Sequence, residues 1–210
     1  MNIGIIGSGN IGSGLGRIWA QKAHRILFSF SRDAAKLAAL AASVPNAAAA
    51  TPRDAVEQSE VILFSVKWSD VGEALRAAGP LEGKILIDCT NPLTPDAGGL
   101  IIGQTTSAAE EIAKLAPAAK VVKAFNTVFA EVYHSSSPLF GSRRATVFYC
   151  GDDENAKKKV ARLIADASLE PVDAGELKAA RYLEPMAMLM IQLGFGKGLG
   201  TNIALSLIRR

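Results

Sequence analysis

A glycine-rich segment at the start of the chain restricts the possible folds more than any other feature. Residues 2–6 predict a short buried strand, and a G-x-G-x-x-G motif follows directly, at the beginning of a helix expected over about residues 10–23. Strand, glycine turn and helix in this order are the context that such a motif requires for a dinucleotide site. The residues predicted to contact the dinucleotide are Gly7, Ser8, Gly9, Asn10, Ile11 and Gly12.

Each glycine has a separate expected task. Gly7 allows the tight turn, Gly9 lets the backbone approach a pyrophosphate, and Gly12 lets the helix pack closely on the strand. The free N–H groups at the start of the helix then face the phosphates. The alternative is a glycine-rich turn that only packs a helix against a strand.

The residues after the second predicted strand, Arg25–Ser29, indicate which dinucleotide binds. An NAD site places Asp or Glu about 20 residues beyond the glycines, where its carboxylate bonds the ribose 2′-hydroxyl. Here Ser31 and Arg32 follow instead, with Lys36 one helical turn further on. Because Arg makes charge-assisted, bidentate contacts to phosphate oxygens, these residues favour NADP(H) over NAD. The alternative is that Arg32 is an ordinary solvated charge.

The rest of the chain repeats the alternation of strands and helices. Apolar runs predict strands over residues 47–50, 61–66, 84–88, 120–124, 145–150 and 171–174, and helices separate many of them. The fold class expected is α/β, a Rossmann-type doubly wound and mostly parallel sheet with a small C-terminal α/β extension that ends in apolar helices. The domains expected are residues 1–140, which bind the dinucleotide, and 141–210, which complete the substrate cleft. A helix over 182–195 is apolar nearly all round, which predicts burial against the sheet or against a partner chain, and a short helix over 202–208 should end the chain.

Three segments that follow strands should meet at one edge of this sheet, because ligands bind at the carboxyl ends of parallel strands. The first segment, expected near the ribose or nicotinamide, contains Val66, Lys67 and Trp68, although the tryptophan could equally be a packing residue. Asn91 and Pro92 form a second wall of the expected nicotinamide pocket. Asn126, Thr127 and Val128 form the third segment.

Composition narrows the class of partner. The chain has 210 residues, of which 49% are hydrophobic and 20% charged, so it can bury a sizeable core. Its net charge is +3 without a dense basic stripe among aromatics, which favours a small-molecule redox substrate over nucleic acid. No apolar run approaches the roughly 20 residues that span a bilayer, so no membrane partner is expected. Since the first strand begins at residue 2, we expect no signal peptide and a cytoplasmic location.

No side-chain pattern indicates acid–base, nucleophilic or metal chemistry. His24 lies at the amino end of its strand, away from the expected site, and His134 could reach the site but has no carboxylate at a suitable spacing. Cys89 and Cys150 lack both metal-ligand spacing and an evident base, so both thiols are expected to be buried and reduced. The acidic run at 152–154 predicts the start of a helix rather than a metal site. The expected protein is a redox protein without a catalytic side chain, in which hydride passes by juxtaposition of reacting carbons about 3–3.5 Å apart.

At this point the residues resemble a known family, the NADP oxidoreductases dependent on coenzyme F-420, a deazaflavin. The resemblance covers essentially the whole chain and includes the glycine turn and the Ser31-Arg32 pair with Lys36. Its most specific part is C-terminal and consists of Gly151-Asp152-Asp153-Glu154, Asp173-Ala174-Gly175-x-Leu177, then Arg181, Leu183 and Glu184, and finally Gly198-Leu199-Gly200.

The resemblance implies a homodimer in which a deazaflavin lies against the nicotinamide, with hydride passing directly between the two rings. Carried over by position, Thr127 and Val128 would border the deazaflavin, and the turn with Gly198 and Leu199 would lie close by.

Three other functions remain open. Pyrroline-carboxylate, imine and hydroxy-acid reductases share this kind of glycine turn, but they need a longer helical domain than the 35 residues after Gly175 could supply. The cytosolic domain of membrane ferric reductases passes hydride from NADPH to a flavin, FAD or FMN. A non-enzymatic NADP-binding redox sensor would need the nucleotide site alone.

Overall fold

The computed structural model describes residues 1–135, 137 and 139–210. The strands are β1 (Asn2–Ile6), β2 (Arg25–Ser29), β3 (Ala47–Ala49), β4 (Val61–Phe64), β5 (Ile85–Asp88), β6 (Lys120–Lys123), β7 (Leu139–Phe140), β8 (Arg143–Arg144), β9 (Thr146–Gly151) and β10 (Glu170–Asp173). The α-helices are α1 (Asn10–Gln21), α2 (Ala34–Ala42), α3 (Pro52–Glu57), α4 (Val71–Ala78), α5 (Ala108–Leu115), α6 (Glu154–Asp166) and α7 (Ala180–Ile191).

Eight of the described strands form one sheet in the order β10-β9-β6-β5-β4-β1-β2-β3. Every neighbouring pair is parallel except β6 and β9, which are antiparallel. From β1 the chain first builds outward through β2 and β3, and then returns to build the other side through β4, β5 and β6. The topological switch point therefore lies between β1 and β4, where the glycine turn leaves the sheet. This confirms the predicted Rossmann-type fold class.

Apolar side chains on alternate positions of the central strands form a core on each face of the sheet. Ile3 and Ile5 of β1 face one core cluster, while Ile6 faces the other, and all three are fully buried. Central parallel strands are covered on both faces, which is why β4 reads as an unbroken apolar run. Trp19 ties α1 to α6, since its indole N–H donates to the Leu163 carbonyl oxygen at 2.9 Å.

The C-terminal segment contributes two strands to the main sheet, and its β8 pairs with β7 in a separate two-stranded sheet. β9 and β10 extend the sheet of the N-terminal segment through the antiparallel contact with β6. The division into domains at residue 140 stays a prediction.

The predicted last helix over 202–208 is wrong. This segment has no regular secondary structure and runs beside β9 instead, where the Thr146 N–H donates to the Leu205 carbonyl oxygen and the Leu207 N–H donates to Thr146 Oγ1. An isolated helix of a few residues is marginal, because the cost of nucleation exceeds what so few hydrogen bonds return. Contacts to β9 therefore determine the conformation of residues 202–208.

The apolar helix predicted over 182–195 is buried on one face and exposed on the other within the single chain. Residues 180–191 form α7, which continues into a π-helical turn, Gln192–Gly196. Leu183, Ala187 and Met190 are buried, but Tyr182 and Leu189 are exposed by 74% and 56%. The hydrophobic pattern does not distinguish the two faces, because both are apolar.

Candidate functional site

The three glycines of the turn differ in what surrounds them. Gly7 has a φ of +99°, and a Cβ there would lie 2.6 Å from the Ser65 carbonyl oxygen. A Cβ on Gly12 would lie 2.2 Å from the Gly7 carbonyl oxygen. A Cβ on Gly9 would have no protein atom within 4 Å. Close packing inside the protein therefore explains why positions 7 and 12 are glycine. At position 9 no protein atom requires glycine, and the lack of a side chain leaves open space above the turn.

Helix α1 begins at this open space without a side-chain cap in the part of the chain that the structure describes. By contrast, α2, α3, α5 and α6 begin with Asp33, Thr51, Ser107 and Asp153, whose side chains each accept a hydrogen bond from a backbone N–H of the first turn. No acidic residue lies in the first turn of α1. Its free N–H groups and positive dipole end suit a phosphate at this position.

Two serine hydroxyls fix the turn to the neighbouring strand ends. Ser8 Oγ donates to the Ser29 carbonyl oxygen at 2.9 Å, and Ser65 Oγ donates to the Gly7 carbonyl oxygen at 2.7 Å. These bonds join the ends of β1, β2 and β4 into one surface.

A pocket of about 420 Å³ opens where these strand ends meet, and we call it the glycine-turn pocket. Its lining contains seven of the predicted cofactor residues: Gly7, Ser8, Gly9, Ser31, Arg32, Val66 and Lys67. The other predicted cofactor residues lie outside this lining. They are Asn10, Ile11, Gly12, Lys36 and Trp68, together with Asn91 and Pro92, which both follow β5. Trp68 is half-buried and packs against the core, as the packing alternative expected. Phe30, Ser65, Asp70 and Glu73 line the pocket and were missed from the sequence.

Of the predicted phosphate clamp, Ser31 and Arg32 line this pocket, whereas Lys36 lies outside its lining. The Arg32 side chain is 86% exposed, and its guanidinium lies 3.2 Å from a carboxylate oxygen of Asp70. Lys36 Nζ lies 3.8 Å from a carboxylate oxygen of Asp33. Asp70 precedes α4, 38 residues beyond Arg32, so local sequence gave no signal for this pair.

The second and third predicted segments meet at what we call the β5–β6 edge, residues 89–92 and 125–128. The side chains of Asn91 and Asn126 are paired: Asn126 Nδ2 donates to Asn91 Oδ1 at 3.0 Å, and Asn91 Nδ2 donates to the Asn126 carbonyl oxygen at 3.1 Å. Asn126 Nδ2 also donates to the Leu183 carbonyl oxygen of α7 at 3.0 Å. This amide pair joins two strand ends to the C-terminal helix.

Three polar side-chain atoms at this edge are buried and have no hydrogen-bond partner among the described residues. They are Thr90 Oγ1, Asn126 Oδ1 and Thr127 Oγ1, on residues that are 2%, 6% and 3% exposed. A buried polar group without a partner costs free energy, so such groups in a native structure call for a ligand or an ordered water.

The predicted C-terminal turn lies beside the same edge. A Cβ on Gly194 would lie 2.8 Å from the Phe129 ring and 3.0 Å from the Gly200 carbonyl oxygen. The rings of Phe129 and Phe195 stack edge to face, with centroids 5.8 Å apart. Phe129 follows Val128 directly, so these contacts bring the segment with Gly198 and Leu199 next to the third strand end. Both of those residues are exposed.

Beneath the β5–β6 edge lie three buried charged side chains that the sequence analysis missed. Lys123 Nζ lies 2.8 Å from carboxylate oxygens of both Asp88 and Glu184, and all three side chains are at most 1% exposed. Burial works against the charge of Lys123, but the two carboxylates outweigh it and raise the pKa of its ammonium group. Burial also raises the pKa of Glu184, opposed by Lys123 and by the backbone N–H of Ala108. Asp88 and Lys123 occupy partner positions on adjacent strands, a register that only the fold reveals.

Each histidine has a polar partner, and both cysteines are buried. A ring nitrogen of His24 lies 3.1 Å from Asp166, at the amino end of β2. His134 Nε2 lies 2.8 Å from the Asn10 carbonyl oxygen, beside the glycine turn. Cys89 and Cys150 are buried free thiols, and burial raises the pKa of Cys150 to about 12.

Within residues 1–135, 137 and 139–210, no three His, Cys, Asp or Glu side chains come together as a group that could hold a metal ion. None of the helices in this described part is both long and apolar enough to cross a lipid bilayer.

A doubly wound sheet with a glycine turn at its switch point, a pocket over that turn and a neighbouring polar edge defines a dinucleotide-binding protein of the Rossmann class. Comparison with known proteins makes the class more specific. Residues 2–92 match the family described as "NADP oxidoreductase coenzyme F420-dependent". This match supports, for the N-terminal segment of the chain, the family that the sequence resembles.

Individual relatives agree with this class. The metalloreductase STEAP3 of Rattus norvegicus is 31% identical over 190 residues, which are 90% of this chain but only 37% of the relative's length. The chain thus spans little more than a third of that protein. A crystal structure from Arthrobacter sp. FB24, provisionally described as an F420-dependent NADP reductase, is 28% identical, with full coverage of both chains and a TM-score of 0.88. A reductive aminase from Aspergillus terreus, 22% identical, shares the fold over 94% of this chain and 62% of its own, with a TM-score of 0.68.

Proposed function

We propose that the protein transfers hydride directly between NADP(H), held at the glycine-turn pocket, and coenzyme F-420, held against the β5–β6 edge. The observation that carries the proposal is that the open space above Gly9 and the buried, unpartnered polar atoms of the β5–β6 edge both follow the carboxyl ends of parallel strands of one sheet. The similarity of the whole chain to the Arthrobacter protein supports F-420 as the second reactant.

The residues of the glycine-turn pocket fit the adenosine and phosphate end of NADP(H). The uncapped N-terminus of α1 would bind the pyrophosphate, and the lack of a side chain at Gly9 would let it approach the backbone. Arg32, with Ser31 and Lys36, would bind the 2′-phosphate. To do so Arg32 would exchange its contact with Asp70 for phosphate oxygens.

The β5–β6 edge fits the ends of the reactants that exchange hydride. Asn91 and Asn126 would fix the wall of the nicotinamide site, with Pro92 making that turn rigid. Unpartnered oxygens on Asn126 and Thr127 would hydrogen-bond the polar edge of a ring. Val128 and the turn with Gly198 and Leu199 would cover the acceptor.

When bound, NADPH supplies the hydride, so the protein need only position two rings and exclude water. Placing the reacting carbons about 3–3.5 Å apart can supply most of the rate enhancement, because it replaces a bimolecular encounter by an intramolecular step. This fits an edge built from amides, hydroxyls and apolar side chains.

A flavin is the second candidate acceptor. Its support is the 31% identity to the rat metalloreductase, which extends over 90% of this chain and so includes the C-terminal segment. In that case the protein would work as an NADPH-dependent flavin or ferric reductase.

One experiment distinguishes these functions. The purified protein is mixed with NADPH and, in separate samples, with oxidised F-420, FMN or FAD, and the loss of nicotinamide absorbance is followed. Rapid turnover with F-420 alone supports the first proposal, and turnover with flavins alone supports the second. Tight NADPH binding without turnover in any sample would refute both and favour a redox sensor.

We further propose that the protein is a homodimer that buries the exposed apolar face of α7 and the following turn. Tyr182, Leu189, Phe195 and Leu199 are each more than half exposed on this face. Sedimentation equilibrium should give twice the chain mass, and Leu189→Glu should shift the equilibrium toward the monomer. A monomer for the unchanged protein at micromolar concentration would contradict the proposal.

A further inference from the structure

Thr90 is held through both of its backbone polar groups by the buried charges beneath the β5–β6 edge. Its N–H donates to Asp88 Oδ1 at 2.8 Å, and its carbonyl oxygen accepts a hydrogen bond from Lys123 Nζ. The two groups that hold it occupy partner positions on β5 and β6. Thr90, the second residue after the end of β5, is therefore held from two strands at once.

The segment that Lys123 holds, Thr90–Asn91, continues into the Asn91–Asn126 amide pair. Asn91 follows Thr90 directly, and its side chain pairs with Asn126, three residues beyond Lys123. The edge thus combines contacts to buried charges with three unpartnered polar atoms.

The third member of the group connects this support to two helices. Glu184 of α7 accepts hydrogen bonds from the N–H groups of Ala108 and Ala109 at the N-terminus of α5, at 2.8 and 3.2 Å. The positive end of α5 thereby shares the charge of Glu184 with Lys123. Because Leu183, the neighbour of Glu184, accepts from Asn126, Lys123 also fixes α7 relative to the edge.

A contribution to folding stability does not by itself explain why Asp88, Lys123 and Glu184 are charged and buried together. Apolar residues of similar volume would fill the same space at similar or lower free energy, since taking charges out of water costs several kcal/mol per ion. What charged groups add is a fixed direction for each hydrogen bond they make.

We propose that Lys123 is a positioning residue of the hydride-transfer site, which fixes the Thr90–Asn91 segment and the Asn91–Asn126 pair so that the edge meets the nicotinamide in one orientation. Lys123 does not touch either reactant. This inference rests on the proposed function, because that function makes the β5–β6 edge a nicotinamide site. Whether Lys123 holds the edge in place can be measured without any ligand.

The test uses two variants and a matched control. Lys123→Met removes the ammonium group but leaves two buried carboxylates without a cation, which can prevent folding. The double variant Asp88→Asn with Lys123→Met removes one of these charges and leaves Glu184 with the N-terminus of α5. The control is Glu110→Gln, which breaks the ion pair with Arg181 that also joins α5 to α7 but does not contact the edge.

The first readout is amide hydrogen exchange of the ligand-free proteins. We expect exchange in residues 89–92 and 125–128 to become about tenfold or more faster in the Lys123 variants, as local opening becomes easier. In the control, exchange should rise only around α5 and α7. Unchanged exchange at the edge in the folded double variant would overturn the proposal.

The second readout compares NADP⁺ with adenosine 2′,5′-bisphosphate, which lacks the nicotinamide. The Lys123 variants should bind NADP⁺ about tenfold more weakly, the effect of losing about one hydrogen bond, with little change for the bisphosphate. The control should bind both as the unchanged protein does. If the variants lose affinity for both ligands equally, or for neither, Lys123 has a structural role only and the proposal is wrong.

The two readouts also separate this inference from the proposed function. If the unchanged protein binds NADP⁺ no more tightly than the bisphosphate, the edge is not a nicotinamide site and the proposed function fails. Faster exchange at the edge in the Lys123 variants would then still establish that Lys123 holds the edge.

Discussion

Replacing Arg32 by Ala tests the predicted phosphate clamp most sharply. Arg32 is 86% exposed and lies 3.2 Å from Asp70 in the ligand-free protein. Binding of NADPH would exchange this contact for contacts to the 2′-phosphate, while NADH offers a hydroxyl at the same position. The substitution should therefore affect the two nucleotides differently.

The expected magnitude follows from these two contacts. A hydrogen bond to a charged group contributes about 1.5–3 kcal/mol, and giving up an exposed ion pair such as Arg32–Asp70 costs about 0–1 kcal/mol. The net loss for NADPH is about 0.5–3 kcal/mol, or about two- to 150-fold in Kd. NADH should change by less than about twofold, because no phosphate contact is lost.

The assay is a titration of protein fluorescence with each nucleotide at fixed, low ionic strength. Arg17→Ala is the matched control, since it removes the same charge from α1 outside the pocket lining. Equal losses for NADPH and NADH, or an equal loss in the control, would refute the clamp.

The remaining predictions concern the same pocket and the buried thiols. Asp70→Asn should strengthen NADPH binding severalfold and leave NADH unchanged, because a carboxylate that competes with the phosphate for Arg32 is removed; weaker NADPH binding would contradict this. Gly9→Ala should weaken NADPH binding while calorimetry shows an unchanged melting temperature, whereas Gly12→Ala should lower the unfolding free energy by about 1–3 kcal/mol, since its Cβ would lie against the Gly7 carbonyl oxygen. A lower unfolding free energy for Gly9→Ala, together with an unchanged one for Gly12→Ala, would contradict these roles. Cys150, whose pKa burial raises to about 12, and Cys89, whose burial raises its pKa well above the usual range, should resist iodoacetamide at pH 8 until the protein is unfolded, and rapid labelling of the native protein would contradict their burial.

The sequence was sufficient to predict the elements whose signal is local. The glycine turn and the strand before it follow from a contiguous motif, and β4 and β5 follow from unbroken apolar runs. Their ends differ by one or two residues, as at β4, which ends at Phe64 rather than at residue 66. Chain order and parallel pairing then bring the three predicted segments to one edge of the sheet.

The features that depend on distant partners could not be predicted. Asp88, Lys123 and Glu184 each lie in or beside an apolar segment, and only the fold reveals that they are buried together. Arg32 and Asp70 likewise meet across two strand ends. The segment after residue 200 has helical composition, but its contacts to Thr146 lie more than fifty residues away in sequence.

Isotope transfer tests the central claim most directly. NADPH that carries deuterium at the reactive nicotinamide carbon is oxidised by the protein in ordinary water with F-420 as acceptor, and the mass of the reduced F-420 is measured. Direct transfer between juxtaposed rings predicts that the reduced deazaflavin gains one deuterium from the labelled face of NADPH. Two results would contradict the account: reduced F-420 that carries no deuterium, whichever face of the nicotinamide was labelled, or no reduction of F-420 at all.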